Sequence, residues 1–132
     1  MIDASVGIKW FLNEPDSLPA RDLLKEIGSH QREFVVPELF FFEVYAVCIR
    51  RHTDPQKFAR EGMGLLHRIP LTRIPMTVDL AELGYPFVKA GLTGYDAIYA
   101  ALAKKVKGRW ITYDKEAARR LNSPQWVEIL GK

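Results

Sequence analysis

The chain has 132 residues, of which 48% are hydrophobic and 27% are charged, and its formal net charge is +3 at pH 7. This length supports a single domain over residues 1–132, and the composition excludes a disordered or fibrous protein. Cys48 is the only cysteine, which excludes an internal disulfide and a thiolate metal cluster, while the mild positive charge is compatible with a polyanionic partner without demonstrating one.

Turn signals divide the chain into short apolar runs that alternate with segments of helical period, which predicts an α/β domain with a parallel sheet. In the first half, Pro19 is a favoured first helical residue, Gly28 is favoured just past a helix, and Pro37 stops an apolar run. The predicted elements here are helices over residues 5–12, 19–28 and 38 to about 52, and a strand over residues 34–36.

In the second half, Asp54 followed by Pro55 is a cap-plus-proline helix start. Pro86 should kink or break the helix that contains it. The segment GYDAIYAALAKKVK is rich in Ala, Leu and Lys and is the clearest helix in the sequence. The predicted elements are helices over residues 55 to about 69, 77 to about 89, 94–107 and 115–121, and strands over residues 71–74, 109–114 and 127–130.

The start of the chain, MIDASVGIKWFL, carries an acid at position 3, has no basic leader, and has an apolar stretch too short for an export signal. Nowhere do 18 uncharged apolar residues run together. A single cysteine fits a reducing cytosol. We therefore expect a cytoplasmic protein that does not interact with a membrane.

One carboxylate interrupts the apolar segment LFFFEVYAVCI. In a helix, Leu39 and Ala46 stand on the same face as Glu43. Burying an ionised carboxylate without a partner costs several kcal/mol, so either this face turns outward or a positive group neutralises the acid. Glu43 is therefore a surface residue, a salt-bridge partner or part of a metal site.

Three further acids, Asp3, Asp96 and Asp114, lie at predicted strand ends or helix starts. Taken singly, each could cap a helix or interact with its dipole. Ligands of open parallel sheets bind beyond the carboxyl ends of the strands, so these acids and Glu43 could also converge on one pocket. Clustered carboxylates repel unless a cation neutralises them, and oxygen ligands select Mg²⁺ or Mn²⁺ over zinc. Such an ion suits phosphodiester hydrolysis.

The order and spacing of four motifs resemble a known family. The motifs are DASVGIKWFLNE, VPELFFFEV, LTGYDAIYAALA and WITYDKEAARRL, and they run almost from end to end. In them the chain resembles a PIN domain, specifically the small VapC-type ribonuclease toxins. The resemblance implies a three-layer α/β domain, with a central parallel sheet of about five strands and helices on both faces, and a Mg²⁺- or Mn²⁺-dependent endoribonuclease.

The resemblance also implies roles for residues and partners. Hydroxyls beside metal-binding acids can hydrogen-bond the carboxylates or metal waters. Helix capping for Ser5 and β propensity for Thr112 explain the same two residues without a metal site. Relatives are commonly dimers and are silenced by an antitoxin peptide that packs into the groove, so we expect RNA, a cognate antitoxin and a second copy as partners. The family's catalytic, metal-binding acids correspond to Asp3, Glu43, Asp96 and Asp114. Its hydroxyl positions correspond to Ser5 and Thr112.

Two departures from the family pattern keep other hypotheses open. Only Met1 and Ile2 precede Asp3, where relatives have a longer strand, and Ala46 stands where relatives often have a polar residue. These departures favour a PIN-like module that binds RNA or protein without catalysis. A phosphatase or phospho-receiver ranks last, because Ser5 stands where a haloacid-dehalogenase-type phosphatase would have its second aspartate.

Contacts to partners can also be predicted. The phenylalanines at positions 40–42 lie on more than one face of their helix, so some are expected in the core and some in an interface with another protein chain. Basic residues at 104, 105 and 107 either bind phosphate or complement the end of their helix. The full set of candidate phosphate contacts is Lys9, Arg50, Arg51, Lys104, Lys105, Lys107 and Arg109.

Overall fold

The computed structural model describes residues 1–131, which form eight α-helices, one π-helical turn and four short strands. Within those residues every helix is too short or too polar to cross a lipid bilayer. A π-helical turn, Phe58–Gly62, joins α4 to α5. The helices are α1 (Ala4–Phe11), α2 (Leu18–Gly28), α3 (Leu39–Arg51), α4 (Pro55–Lys57), α5 (Met63–Arg68), α6 (Val78–Lys89), α7 (Gly94–Lys105) and α8 (Lys115–Arg120). The strands are β1 (Val35–Pro37), β2 (Thr72–Ile74), β3 (Trp110–Thr112) and β4 (Val127–Ile129).

The strands form two parallel pairs, β1 with β2 and β3 with β4. Ile2 adds a parallel bridge to Ile111, and the Ile111 N–H donates to the Met1 carbonyl at 2.9 Å. Asp3 already caps α1, so this first extended segment ends after one bridging residue. The α/β architecture with parallel pairing is thus confirmed, whereas residues 1–131 do not show a continuous sheet of about five strands.

The elements follow the predicted order, with three local differences. The helix predicted over residues 55 to about 69 is interrupted by the π-helical turn. Pro86 lies inside α6 without ending it. Near Pro86, α6 contacts α7 through Gly84, where a Cβ would lie 3.4 Å from the Ala97 carbonyl oxygen. α7 ends at Lys105, two residues earlier than predicted, because Lys107 has a φ of 53° and leaves the helix.

A close contact between α1 and α3 positions the beginning of α1. A Cβ on Gly7 would lie 2.7 Å from Phe40 Cζ and 2.9 Å from Val44 Cγ2, which is too close for any side chain larger than hydrogen without movement. Phe40 and Val44 are fully buried. The glycine therefore lets α1, headed by Asp3, lie against the helix that carries Glu43.

α7 is the most deeply buried helix near the strands. It packs on β1 and β3 and presents small residues to them, which allows close approach. Tyr99 of α7 and Trp110 of β3 are the two largest fully buried side chains. This packing places the first turn of α7, with Asp96, at the same end of the fold as the carboxyl end of β3.

Candidate active site

Asp3 is buried where the first extended segment meets α1, with only 4% of its surface exposed. Its Oδ1 accepts a hydrogen bond from the Ser5 N–H at 3.0 Å and another from the Ser5 hydroxyl, and its Oδ2 accepts one from Trp110 Nε1 at 2.9 Å. Burial raises the pKa of Asp3 from 3.8 to about 6. Bonds from Ser5, Thr112 and Trp110 lower this pKa in part, and the Asp96 charge raises it further.

Glu43 lies in the middle of α3 and is half-buried. Its Oε1 accepts a hydrogen bond from the Tyr99 hydroxyl at 2.7 Å. Burial raises the pKa of Glu43, the Tyr99 bond opposes that effect, and the negative charges of Asp3 and Asp96 raise the pKa again. Of the explanations open for this acid, a surface position and an ion pair with a described residue are both excluded.

Asp96 and Asp114 occupy two neighbouring helix starts. The Asp96 N–H donates to Thr93 Oγ1, the α7 cap, at 3.1 Å. Burial and then the charge of Asp114 raise the pKa of the half-buried Asp96 carboxyl, while the Thr93 hydrogen bond and Arg120 lower it. Asp114 caps α8, where its Oδ1 accepts from the Ala117 N–H at 3.0 Å. Capping is therefore real for Asp3 and Asp114, and it fixes the positions of these two carboxylates.

Two hydroxyls connect the strand ends on which the acids stand. Ser5 Oγ and Thr112 Oγ1 lie 3.3 Å apart. The Tyr113 N–H donates to Ser5 Oγ at 2.9 Å, and the Asp114 N–H donates to Thr112 Oγ1 at 2.9 Å. Thr112 is completely buried. The hydroxyls thus hold the first extended segment and the end of β3 in register beside the acids.

The four acids interact electrostatically as one cluster. Asp3 and Asp96 raise the pKa of Glu43, and Asp114 raises that of Asp96. None of the salt bridges within residues 1–131 involves any of the four. Neighbouring carboxylates that form no salt bridge match the donor chemistry of a hard divalent cation. In this conformation, however, no three His, Cys, Asp or Glu side chains of the described residues are grouped as a metal site.

The aromatic donors to this cluster were not predicted. Tyr99 and Trp110 lie in segments whose apolar character indicates only core packing, and their partners depend on the tertiary fold. The sole sequence signal is that Tyr99 follows Asp96 by three residues, on a neighbouring part of the same helical surface.

Most candidate phosphate contacts turn out to have other partners. Lys9 Nζ lies 2.6 Å from Asp16 Oδ1, and Arg51 lies 3.3 Å from a Glu14 oxygen. The basic residues at 104–109 lie at or beyond the carboxyl end of α7, whereas Asp96 is in its first turn. Their position favours the second of the two explanations for residues 104, 105 and 107, which is that they complement the end of their helix.

Comparison with known proteins gives a family match and similar folds among solved structures. A family model described as the PIN domain matches residues 1–121. No curated protein sequence matches the chain. A toxin-antitoxin complex from Klebsiella pneumoniae is similar with a TM-score of 0.69 at 17% identity, over 96% of this chain and 92% of that one. VapC20 from Mycobacterium tuberculosis, described as a sarcin-ricin loop cleaving toxin, is similar with a TM-score of 0.74 at 15% identity, over 98% of this chain and 97% of that one.

Proposed function

The chain belongs to the PIN domain family, and we propose that it is a Mg²⁺- or Mn²⁺-dependent endoribonuclease, the VapC-type toxin of a type II toxin-antitoxin pair. The observation that carries the proposal is a cluster of four acids in which neighbouring negative charges raise the pKa of three members and no described lysine or arginine forms a salt bridge with any of them. Its members are Asp3, Glu43, Asp96 and Asp114.

These four carboxylates would hold the divalent cation. A cation bound there supplies Lewis-acid chemistry, since it can lower the pKa of water and offset charge on a phosphodiester during cleavage. The all-oxygen donor set fits Mg²⁺ or Mn²⁺. A cation would also offset the repulsion that raises the pKa of Glu43 and Asp96.

The chain's own groups hold the acids in place. Ser5 holds Oδ1 of Asp3 through its N–H and its hydroxyl. Thr112 fixes the backbone on which Asp114 stands. Burial around Asp3 keeps water from screening its charge, which strengthens its interaction with a cation.

The proposal includes protein partners and a cytoplasmic location. An apolar groove of about 470 Å³ lies between α3, α6 and α7, and it supports binding of a second protein chain. Phe42, at 72% exposure, Met76 and Tyr95 line it. We assign this groove to a homodimer contact, and we propose a cognate antitoxin as the partner that silences the nuclease.

A cleavage assay tests the activity. Purified protein is incubated with single-stranded RNA in chelator, Mg²⁺ or Mn²⁺, together with the Asp96→Asn variant. Asp79→Asn is a matched control, because Asp79 also lies in the first turn of a helix but forms an exposed ion pair with Lys105. We expect metal-dependent cleavage that falls at least about 100-fold in Asp96→Asn and is retained in Asp79→Asn. Cleavage in chelator, or full activity of Asp96→Asn, would contradict the proposal.

One observation favours the alternative of a PIN-like module that binds RNA or protein without catalysis. Both oxygens of Asp3 already accept hydrogen bonds from Ser5 and Trp110, so fewer lone pairs are open to a cation. RNA binding by the wild-type protein without cleavage in Mn²⁺ would select this alternative.

A further inference from the structure

Tyr99 and Trp110 lie beside each other in the core, and each donates a hydrogen bond to a different acid of the cluster. The Tyr99 hydroxyl donates to Glu43 Oε1 at 2.7 Å, and Trp110 Nε1 donates to Asp3 Oδ2 at 2.9 Å. The two rings are stacked, with centroids 6.2 Å apart and planes 16° apart. Their exposed fractions are 1% for Tyr99 and 0% for Trp110.

This arrangement makes the two donors rigid. A buried aromatic side chain has two rotatable bonds, and here each ring is held by the other and by the surrounding core. Glu43, by contrast, has three rotatable side-chain bonds, and the only hydrogen bond to its carboxylate found within residues 1–131 comes from Tyr99. The direction in which Glu43 presents its second oxygen is therefore set by Tyr99.

The donors are also neutral. A lysine or arginine in their place would satisfy the carboxylates but would cancel the charge that attracts a cation. A phenol and an indole satisfy one oxygen each and leave the charge intact. Neither Asp3 nor Glu43 forms a salt bridge with a described residue, so their negative charges are not cancelled by an ion pair.

We propose that Tyr99 and Trp110 form a pair of positioning residues that keep Glu43 and Asp3 at the acid cluster, where the two carboxylates would bind a divalent cation. This inference rests on the proposed metal-dependent function and adds the residues through which the core controls the site. The two residues act through the acids and do not touch the cation or the RNA.

Mn²⁺ affinity, measured by titration calorimetry without RNA, tests the tyrosine. Tyr99→Phe removes one hydroxyl and keeps the stacked ring. Tyr113→Phe is the matched control, because the Tyr113 hydroxyl binds the Asp16 carbonyl and the Ala20 N–H rather than a carboxylate. We expect affinity to fall about 10-fold in Tyr99→Phe and to stay within about 2-fold of wild type in Tyr113→Phe, with both variants folded by circular dichroism.

A double-mutant cycle shows whether Tyr99 acts through Glu43. In a Glu43→Ala background, Tyr99→Phe should cause no further loss of Mn²⁺ affinity, since the acid that it positions is gone. If Tyr99→Phe still weakens binding about 10-fold there, its effect is general loosening of the core and the inference is overturned.

The tryptophan is tested by fluorescence. Trp110→Phe should lose most of the change in tryptophan emission that Mn²⁺ causes and should bind Mn²⁺ about 10-fold more weakly. Trp10→Phe, which loses an indole bond to the Ala20 carbonyl instead, should keep both. Equal Mn²⁺ affinity of wild type, Tyr99→Phe and Trp110→Phe would overturn the positioning role while leaving the nuclease proposal intact. Absence of Mn²⁺ binding by the wild-type protein would overturn both.

Discussion

Raising the pH should destabilise the metal-free protein through Asp3, and Asp3→Asn should escape this effect. Burial raises the pKa of Asp3 from 3.8 to about 6, so the folded state binds a proton more tightly than the unfolded chain. The stabilisation from this proton is fully present below about pH 3.8 and is lost as the pH rises through about 6. Neutral asparagine has no such dependence.

The magnitude follows from the two pKa values. Because one pKa unit is worth about 1.4 kcal/mol, the rise from 3.8 to about 6 corresponds to about 3 kcal/mol. With 4% of its surface exposed, Asp3 is little screened by solvent. The Asn amide pairs less well with Trp110 Nε1, but this penalty is the same at every pH. Opposite contributions from carboxyls with a lowered pKa, such as Glu38, are shared by both proteins and cancel in their difference.

Urea denaturation in chelator, from about pH 4 to about pH 8, measures the effect. The free energy of unfolding of Asp3→Asn should rise by between about 2 and 3 kcal/mol relative to wild type across this range, because at pH 4 the unfolded carboxyl is already partly ionised. Asp79→Asn controls for the loss of one exposed negative charge. A wild-type minus Asp3→Asn difference that stays constant with pH would refute the reasoning, because it would mean that Asp3 is ionised at no cost in the fold.

Three further results are expected. Mg²⁺ at about 100 times its dissociation constant should stabilise the wild-type protein by about 2.7 kcal/mol. In thermal melts this stabilisation should disappear with chelator and be smaller in Asp96→Asn. Equal stabilisation of the two proteins would place the ion elsewhere. Phe42→Glu should convert a dimer to a monomer in light-scattering measurements, since it puts a charge into an apolar contact; an unchanged mass would remove the groove from the dimer interface. Thr112→Val should lower the free energy of unfolding by about 1–3 kcal/mol, because the partly buried Asp114 N–H loses its acceptor. Unchanged urea denaturation would show that another group accepts this bond.

The order of elements and the positions of the acids could be predicted because they depend on local chemistry. Asp3 and Asp114 precede helices that they cap, and Asp96 stands in the first turn of one. Local rules failed where packing decides. Pro86 lies inside α6, and the helix continues beyond it to Lys89.

The partners of the acids could not be read from the sequence. Trp110 stands 107 positions from Asp3, and Tyr99 stands 56 positions from Glu43. No periodicity connects residues at such separations. The sheet was over-predicted for a related reason, since apolar runs indicate extended backbone but do not determine whether neighbouring strands hydrogen-bond into one ladder.

Gly7 has a consequence for the kind of ion that the cluster would accept. The helix headed by Asp3 and the helix carrying Glu43 are held together by a contact in which Phe40 and Val44 press against the glycine. The gap between the two carboxylates is therefore set by the interior of the protein. Magnesium needs ligand distances near 2.0–2.1 Å, whereas calcium takes 2.3–2.6 Å and more ligands. In the proposed site the spacing of these carboxylates would depend on this buried contact, and Gly7→Ala should raise the affinity for Ca²⁺ relative to Mg²⁺ in titration calorimetry.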